Sequence, residues 1–246
     1  MLDITRAEEN YTILLVCMLL LSVVVFVVLL FISAPYGRHA RTGWGPSVPP
    51  RIAWFFMELP AVLVVPGVVI TEGVFTVTSL GLLALWEIHY VYRALIYPFQ
   101  LAGRPMPVSV LLMGFTFNAV NGWLIGTGIV LASPVLVLAV PGLLLFALGM
   151  WVTRRADAIL RRLRQETEGY GVPAGFLYRY VSCPNYLGEI VQWLGFALVA
   201  QTGAALVFVA WSVANLLPRA LQHHAWYRET FADYPSDRKA IIPGVL

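Results

Sequence analysis

Seven stretches of the chain are apolar for about the length a membrane helix needs, and polar residues interrupt them at few positions. They lie at residues 11–34, 52–70, 75–98, 107–130, 135–153, 184–200 and 204–227, against a requirement of roughly 17–25 residues per span. Pro60 and Pro66 break the second, which a membrane helix tolerates where neighbours satisfy the freed carbonyls. The pattern predicts an all-α polytopic membrane protein: a bundle of seven transmembrane helices forming a single domain over residues 1–246. The first ten residues carry three acids and one arginine ahead of a long apolar run, so no cleavable signal peptide is expected.

Composition agrees with that pattern. Of 246 residues, 59% are hydrophobic and 12% charged, where a soluble domain carries about 25% charged residues. Seven spans put the N-terminus and the connections near Glu72, Leu131 and Gln201 on one side. Of sixteen Lys and Arg, all but Arg6 then fall on the opposite side or at helix ends near it. The positive-inside rule orients the chain with its N-terminus outside and its C-terminus cytoplasmic. The scarcity of lysine (Lys239 alone) and the Ala/Arg/Val-rich usage favour a bacterial inner membrane over an endoplasmic reticulum. Cys17 and Cys183 are expected at different levels of the membrane, so neither a disulfide nor a cysteine metal site is expected.

The few polar residues inside apolar runs carry the candidate chemistry, because ionisable groups in a bilayer usually face a bundle interior and act there. Glu58 sits in Trp54-Phe-Phe-Met-Glu-Leu-Pro60, and Glu87, Tyr90 and Arg93 form one stripe of the third span. His89 points elsewhere and is expected to bond a backbone carbonyl of a neighbouring helix. Asn185, Glu189 and Gln192 share a face of the sixth span, while Gly122, Gly126 and Gly128 read as helix-packing positions. The run 154–164 holds five arginines and Asp157. Anionic lipid is the default partner of such a run, but a carboxylate among guanidiniums points to a structured site. Nucleic acid is not expected, since no recognition fold is visible. Arg219, His223 and Tyr227 follow one another at i, i+4 and suit a phosphate-bearing ligand; anchoring of Trp226 and Tyr227 at the headgroup level suits them equally. A metal is not expected: His223 and His224 diverge on a helix and no third ligand is evident. No glycine-rich dinucleotide fingerprint is present.

These residues resemble a known family. Asn185-Tyr-Leu-Gly-Glu189 within 175–189, His223-His-Ala-Trp-Tyr227, and the segment 231–243 are similar to the steroid 5α-reductases. So are Ala53 to Pro60, His89-Tyr90, Arg93, Gly103-Arg104-Pro105 and Pro35-Tyr36-Gly37. The resemblance covers nearly the whole chain after the first span. It implies a seven-helix membrane enzyme that reduces the Δ4 double bond of a 3-oxosteroid with NADPH. On that basis Glu58 and Tyr90 bind the 3-keto oxygen as the catalytic pair, and Trp54 lines the steroid cavity. Tyr36, Arg104, Asp157, Arg164, Tyr170, Asn185, Glu189, Arg219, His223 and Tyr227 form the cofactor site. Beyond steroid, NADPH and membrane lipid, no obligate protein partner is implied.

Hydride added at C5 of the enone pushes charge onto the 3-oxygen, where donors in a dry site stabilise it. Tyr90 donates directly; Glu58 donates only when protonated, which an apolar setting favours. The chain departs from the family at Leu101, Met113 and Thr153. Competing readings are a membrane ene-reductase of 2-enoyl thioesters or other sterols, a membrane methyltransferase of the isoprenylcysteine type, and a small transporter or lipid-binding protein.

Overall fold

The structure is a computed structural model; it describes residues 2–101, 104–167 and 170–246, so Gly103 and Gly169 lie outside the described residues. Seven α-helices follow one another there: α1 Leu2–Phe31, α2 Pro50–Glu72, α3 Val77–Val91, α4 Val108–Leu131, α5 Leu136–Glu166, α6 Pro184–Ala200 and α7 Gly203–Thr230. α1, α2, α4, α5 and α7 are long and apolar enough to cross a membrane. α3 is shorter but runs on through a π turn, Tyr92–Ile96, and a 3-10 piece, Tyr97–Gln100. The strand content among the described residues is one antiparallel pair, β1 Ser47–Val48 with β2 Met106–Pro107. The chain is an all-α membrane protein.

Local chemistry sets several boundaries. α2 begins on Pro50, whose missing N–H costs nothing in a first turn, and ends at Gly73 in the left-handed region, φ 66°. Its interior prolines remove two backbone donors. Side chains from neighbouring helices bond carbonyls nearby: Asn118 Nδ2 donates to Met57 O at 2.8 Å and Trp86 Nε1 to Ala61 O at 2.9 Å. α5 outlasts its apolar run, so the arginines of 154–164 ride on a helix, not on a loop.

Small residues bring the helices together, since packing rather than hydrophobicity drives association in lipid. A Cβ on Gly149 of α5 would run into the backbone nitrogen of Gln192 on α6. One on Gly126 of α4 would lie 2.7 Å from Val68 Cβ on α2, and Gly122 and Gly128 also meet neighbouring helices. α1 leans on α7, where Trp211 Nε1 donates to Met18 O at 2.9 Å. An aromatic cluster fills the middle, with the Trp86 ring 5.4 Å from Trp193 and 5.3 Å from Phe208.

The connections 132–135 and 201–202 are short and tied together, the Gln201 amide bonding both Val135 N and O. Residues 36–38, Leu101, Arg104, Met106, Tyr170, Ser182 and Cys183 line one end of the bundle, where residues 180–183 also meet the C-terminal segment 231–246. That segment is pinned to the start of α6: Ser182 N donates to Lys239 O at 2.8 Å and Cys183 N to Ala240 O at 3.0 Å. Ser182 Oγ also lies 2.7 Å from His224 Nδ1 and 2.6 Å from Tyr234 Oη.

Candidate active site

This end of the bundle encloses a polar cleft of about 220 Å³. The ten residues assigned above to a cofactor all line it. Tyr36 comes from the α1–α2 segment, Arg104 from the α3–α4 segment, Asp157 and Arg164 from α5, and Tyr170 from the segment after it. Asn185 and Glu189 come from α6, and Arg219, His223 and Tyr227 from α7. Spacings of four on α6 and α7, and of seven between Asp157 and Arg164 on α5, place each helical set on one stripe, and Asn185 Nδ2 donating to Asp157 Oδ1 at 3.1 Å joins α6 to α5. The Arg219 guanidinium lies over Tyr36 at 4.7 Å. Tyr227 is 2% exposed, so it packs inside the cleft and not at a headgroup surface.

Arg38 and His39 belong to this cleft region, although the sequence reading did not single them out. Arg38 is held between the rings of Trp226 and Tyr227, at 4.7 and 4.6 Å, and its Nη2 donates to Tyr227 Oη at 3.3 Å. Its Nη1 and that of Arg161 are buried without a hydrogen-bond partner among the described residues. His39 stacks on His223 with ring centroids 5.3 Å apart. Burial, and then Arg38, Arg219 and Arg41, push the His39 pKa down to about 4. Burial pushes the Cys183 thiol up to about 12, so it stays protonated. His224 turns away to Ser182, and among the described residues no cluster of His, Cys, Asp or Glu could hold a metal.

Between α1, α2, α3, α4 and α7 lies a larger, mainly apolar cavity of about 750 Å³, within the range that takes small lipophilic molecules. Trp54, Glu58 and Tyr90 line it, beside Met18, Val110, Phe117 and Phe208. Glu58 Oε2 accepts from Asn118 Nδ2 at 3.2 Å, and Oε1 is 3.5 Å from Arg93 Nε. Tyr90 is stacked on Trp86 at 4.4 Å, and its hydroxyl has no hydrogen-bond partner among the described residues. His89 corrects an expectation. Its Nδ1 lies 2.9 Å from the Gln192 side-chain Nε2 instead of meeting a backbone carbonyl, because Gln192 faces inward at 0% exposure.

Tyr36, Trp54, Arg93, Glu189, Leu216 and Arg219 line both spaces and so form a shared wall. Glu58 stands one helical turn from Trp54, and Tyr90 three residues from Arg93, distances of about 6 and 4.5 Å along the axes. Of the expected stripe, Tyr90 and Arg93 both line the apolar cavity and Glu87 does not. Arg93 sits in the π turn that opens at Tyr92, and its guanidinium covers Trp54 at 4.6 Å and Tyr97 at 4.7 Å and pairs with Glu58. A lone arginine in an apolar run requires a carboxylate, which was the available signal. Of the departures, Leu101 lines the cleft and Met113 the apolar cavity, while Thr153 Oγ1 donates to Asn185 O at 3.1 Å.

Comparison with known proteins agrees with this arrangement. Residues 104–246 match the family model described as 3-oxo-5-alpha-steroid 4-dehydrogenase. The chain is 38% identical to a steroid 5-alpha-reductase of Gossypium hirsutum, over 92% of this chain and 95% of that one. It is 37% identical to the 3-oxo-5-alpha-steroid 4-dehydrogenase 1 of Bos taurus, over 91% and 92%. It is 36% identical to the 3-oxo-5-alpha-steroid 4-dehydrogenase 2 of Macaca fascicularis, over 88% and 91%. These relatives come from a plant and from mammals, so the preference for a bacterial inner membrane has no support among them. A family match over more than half the chain, with relatives aligned over nearly all of it, fixes the assignment: the chain belongs to the 3-oxo-5-alpha-steroid 4-dehydrogenase family of oxidoreductases.

Proposed function

We propose that the protein reduces the Δ4 double bond of a 3-oxo-Δ4-steroid with NADPH, giving the 5α-dihydrosteroid, in a seven-span bundle. Its N-terminus lies outside, and the polar cleft and C-terminus face the cytoplasm. One observation carries the reading: a polar cleft rich in guanidiniums and an apolar cavity share a single wall. A water-soluble dinucleotide suits the first, a lipophilic enone suits the second, and the two spaces meet at that wall.

The residues present fit the dinucleotide. Two buried guanidinium nitrogens, on Arg38 and Arg161, lack partners among the described residues and suit phosphate. Tyr36, Tyr170 and Tyr186 offer ring faces, while Asp157, Asn185 and Glu189 offer groups for hydroxyls and amides. Tyr36, Arg104, Asp157, Arg164, Tyr170, Asn185, Glu189, Arg219, His223 and Tyr227 hold the cofactor, which supplies the hydride.

At the apolar side, Trp54 packs on the steroid and orients its A ring. Hydride arriving at C5 sends negative charge to the 3-oxygen, and the unpartnered Tyr90 hydroxyl donates to that oxygen. Before substrate arrives Glu58 pairs as a carboxylate with Arg93 at 3.5 Å; it shares this task once it has taken up a proton with the substrate in place. Exclusion of water by the apolar walls strengthens both bonds. The C4 carbon then takes a proton.

The test is turnover of testosterone or progesterone with NADPH by the purified protein in detergent. Formation of the 5α-dihydro product is expected. Tyr90→Phe and Glu58→Leu should each lower kcat by about 10²–10³-fold, as loss of an oxyanion donor does. Binding of NADPH without any steroid turnover would redirect the search to other lipophilic enones. Absence of both would refute the reading.

A further inference from the structure

We propose that Asn215 is a substrate-specificity residue that hydrogen-bonds an oxygen of the steroid remote from its 3-ketone. This rests on the reductase reading above. Asn215 lies near the middle of α7 and lines the apolar cavity. Its amide is exposed and has no hydrogen-bond partner among the described residues.

Several other amides and hydroxyls of the bundle are bonded to protein through at least one atom. Asn118 serves Met57 and Glu58, Gln192 serves His89, Ser212 donates to Phe208 O, and Gln222 donates to Leu29 O. Asn121 also lacks partners, but it is sealed at 1% exposure and does not line the cavity. Asn215 alone among these presents an unused amide to the space that would receive the substrate. A leucine at this position would suit both lipid and an empty cavity better, because an amide in apolar surroundings is costly unless it is bonded. The fold gains nothing from this amide.

Position says which part of a ligand the amide meets. Asn215 is four residues from Arg219 of the shared wall, as Glu58 is four from Trp54 and Tyr90 three from Arg93. All three groups therefore sit about one turn into the cavity from that wall. They do so on different sides, because α7 packs chiefly on α1, α4 and α6, and Glu58 and Tyr90 belong to α2 and α3. A molecule whose ketone is held by Glu58 and Tyr90 thus presents another part of its surface to Asn215. The amide both donates and accepts, so it takes either a hydroxyl or a second ketone.

The experiment compares three 3-oxo-4-ene steroids that carry a D-ring hydroxyl, a D-ring ketone or no oxygen there. They are assayed with NADPH on the wild type and Asn215→Leu in detergent. The wild type is expected to favour the oxygenated compounds in kcat/KM by about tenfold, the order one neutral hydrogen bond supplies. Asn215→Leu should bring that ratio to within about twofold, with an unchanged or raised Tm. A wild-type ratio near one, or a ratio that the variant leaves intact, overturns the proposal while the reductase reading stands. A lowered Tm with equal losses on all three would make Asn215 structural. Turnover of none of the three removes this proposal together with the steroid as substrate.

Discussion

Replacing Arg93 by methionine should destabilise the protein chiefly through the charge it leaves behind. The Arg93 side chain is 18% exposed and that of Glu58 9%, so the pair is largely out of contact with water. Removing one partner of a buried pair costs about 3–5 kcal/mol, because the survivor is left uncompensated. The Nε–Oε1 separation of 3.5 Å is longer than a charge-assisted hydrogen bond, and Asn118 still donates to Oε2. The lower end of the range, about 3 kcal/mol, is therefore expected. Methionine keeps most of the apolar stem over Trp54 and Tyr97, limiting the loss of ring contact. At roughly 2–4 °C per kcal/mol for a chain of this size, the drop in Tm is about 6–12 °C. Glu58→Gln removes the stranded charge, so in that background the same Arg93→Met change should cost less than about 1 kcal/mol. Thermal unfolding of the four proteins in one detergent, at one scan rate, reads this interaction directly. Equal losses in both backgrounds would mean that Arg93 acts through its rings or through the nearby Glu189 and Asp157, and the pairing with Glu58 would be discarded.

Two further outcomes follow from packing and from titration. Gly149→Ala should lower stability by about 1–3 kcal/mol, since the added methyl meets the α6 backbone and can move only by parting the helices. Gly81→Ala, where the new Cβ meets nothing within 4 Å, should be neutral or raise stability by up to about 1 kcal/mol; similar Tm shifts for the two would refute the close approach. His39 titrates near pH 4 in the fold and near 6.5 when unfolded, so the unfolded chain binds the extra proton between those values. Its contribution is complete above pH 6.5 and is lost as pH falls toward 4. Tm should decline over that window, and the decline should be shallower in His39→Gln; parallel profiles would count against it.

The apolar pattern located the helices well, because in a bilayer every backbone group must be satisfied within its own segment. The sixth span matches α6 residue for residue. The fifth was cut short at residue 153, since hydropathy stops where the arginines begin while their helix propensity does not. Single-helix stripes brought Arg219, His223 and Tyr227 together, and Asn185 with Glu189. They could not find contacts between helices, such as His89 with Gln192 or His39 with His223. The pairing of Arg93 with Glu58 was missed for the same reason, since it joins the π turn after α3 to α2. The assignment of Glu58 and Tyr90 to a carbonyl came from family resemblance, not from spacing.

The shared wall has a thermodynamic consequence for whatever occupies the two spaces. Trp54, Arg93, Glu189 and Arg219 each have one arrangement to offer to two neighbours at once. If filling the cleft fixes those side chains, the cavity's occupant no longer loses free energy in ordering them. Reciprocity then requires the cavity's occupant to tighten the cleft's by the same factor. Order of arrival and order of departure are thus written into four side chains, and a substitution in any of them alters both affinities together.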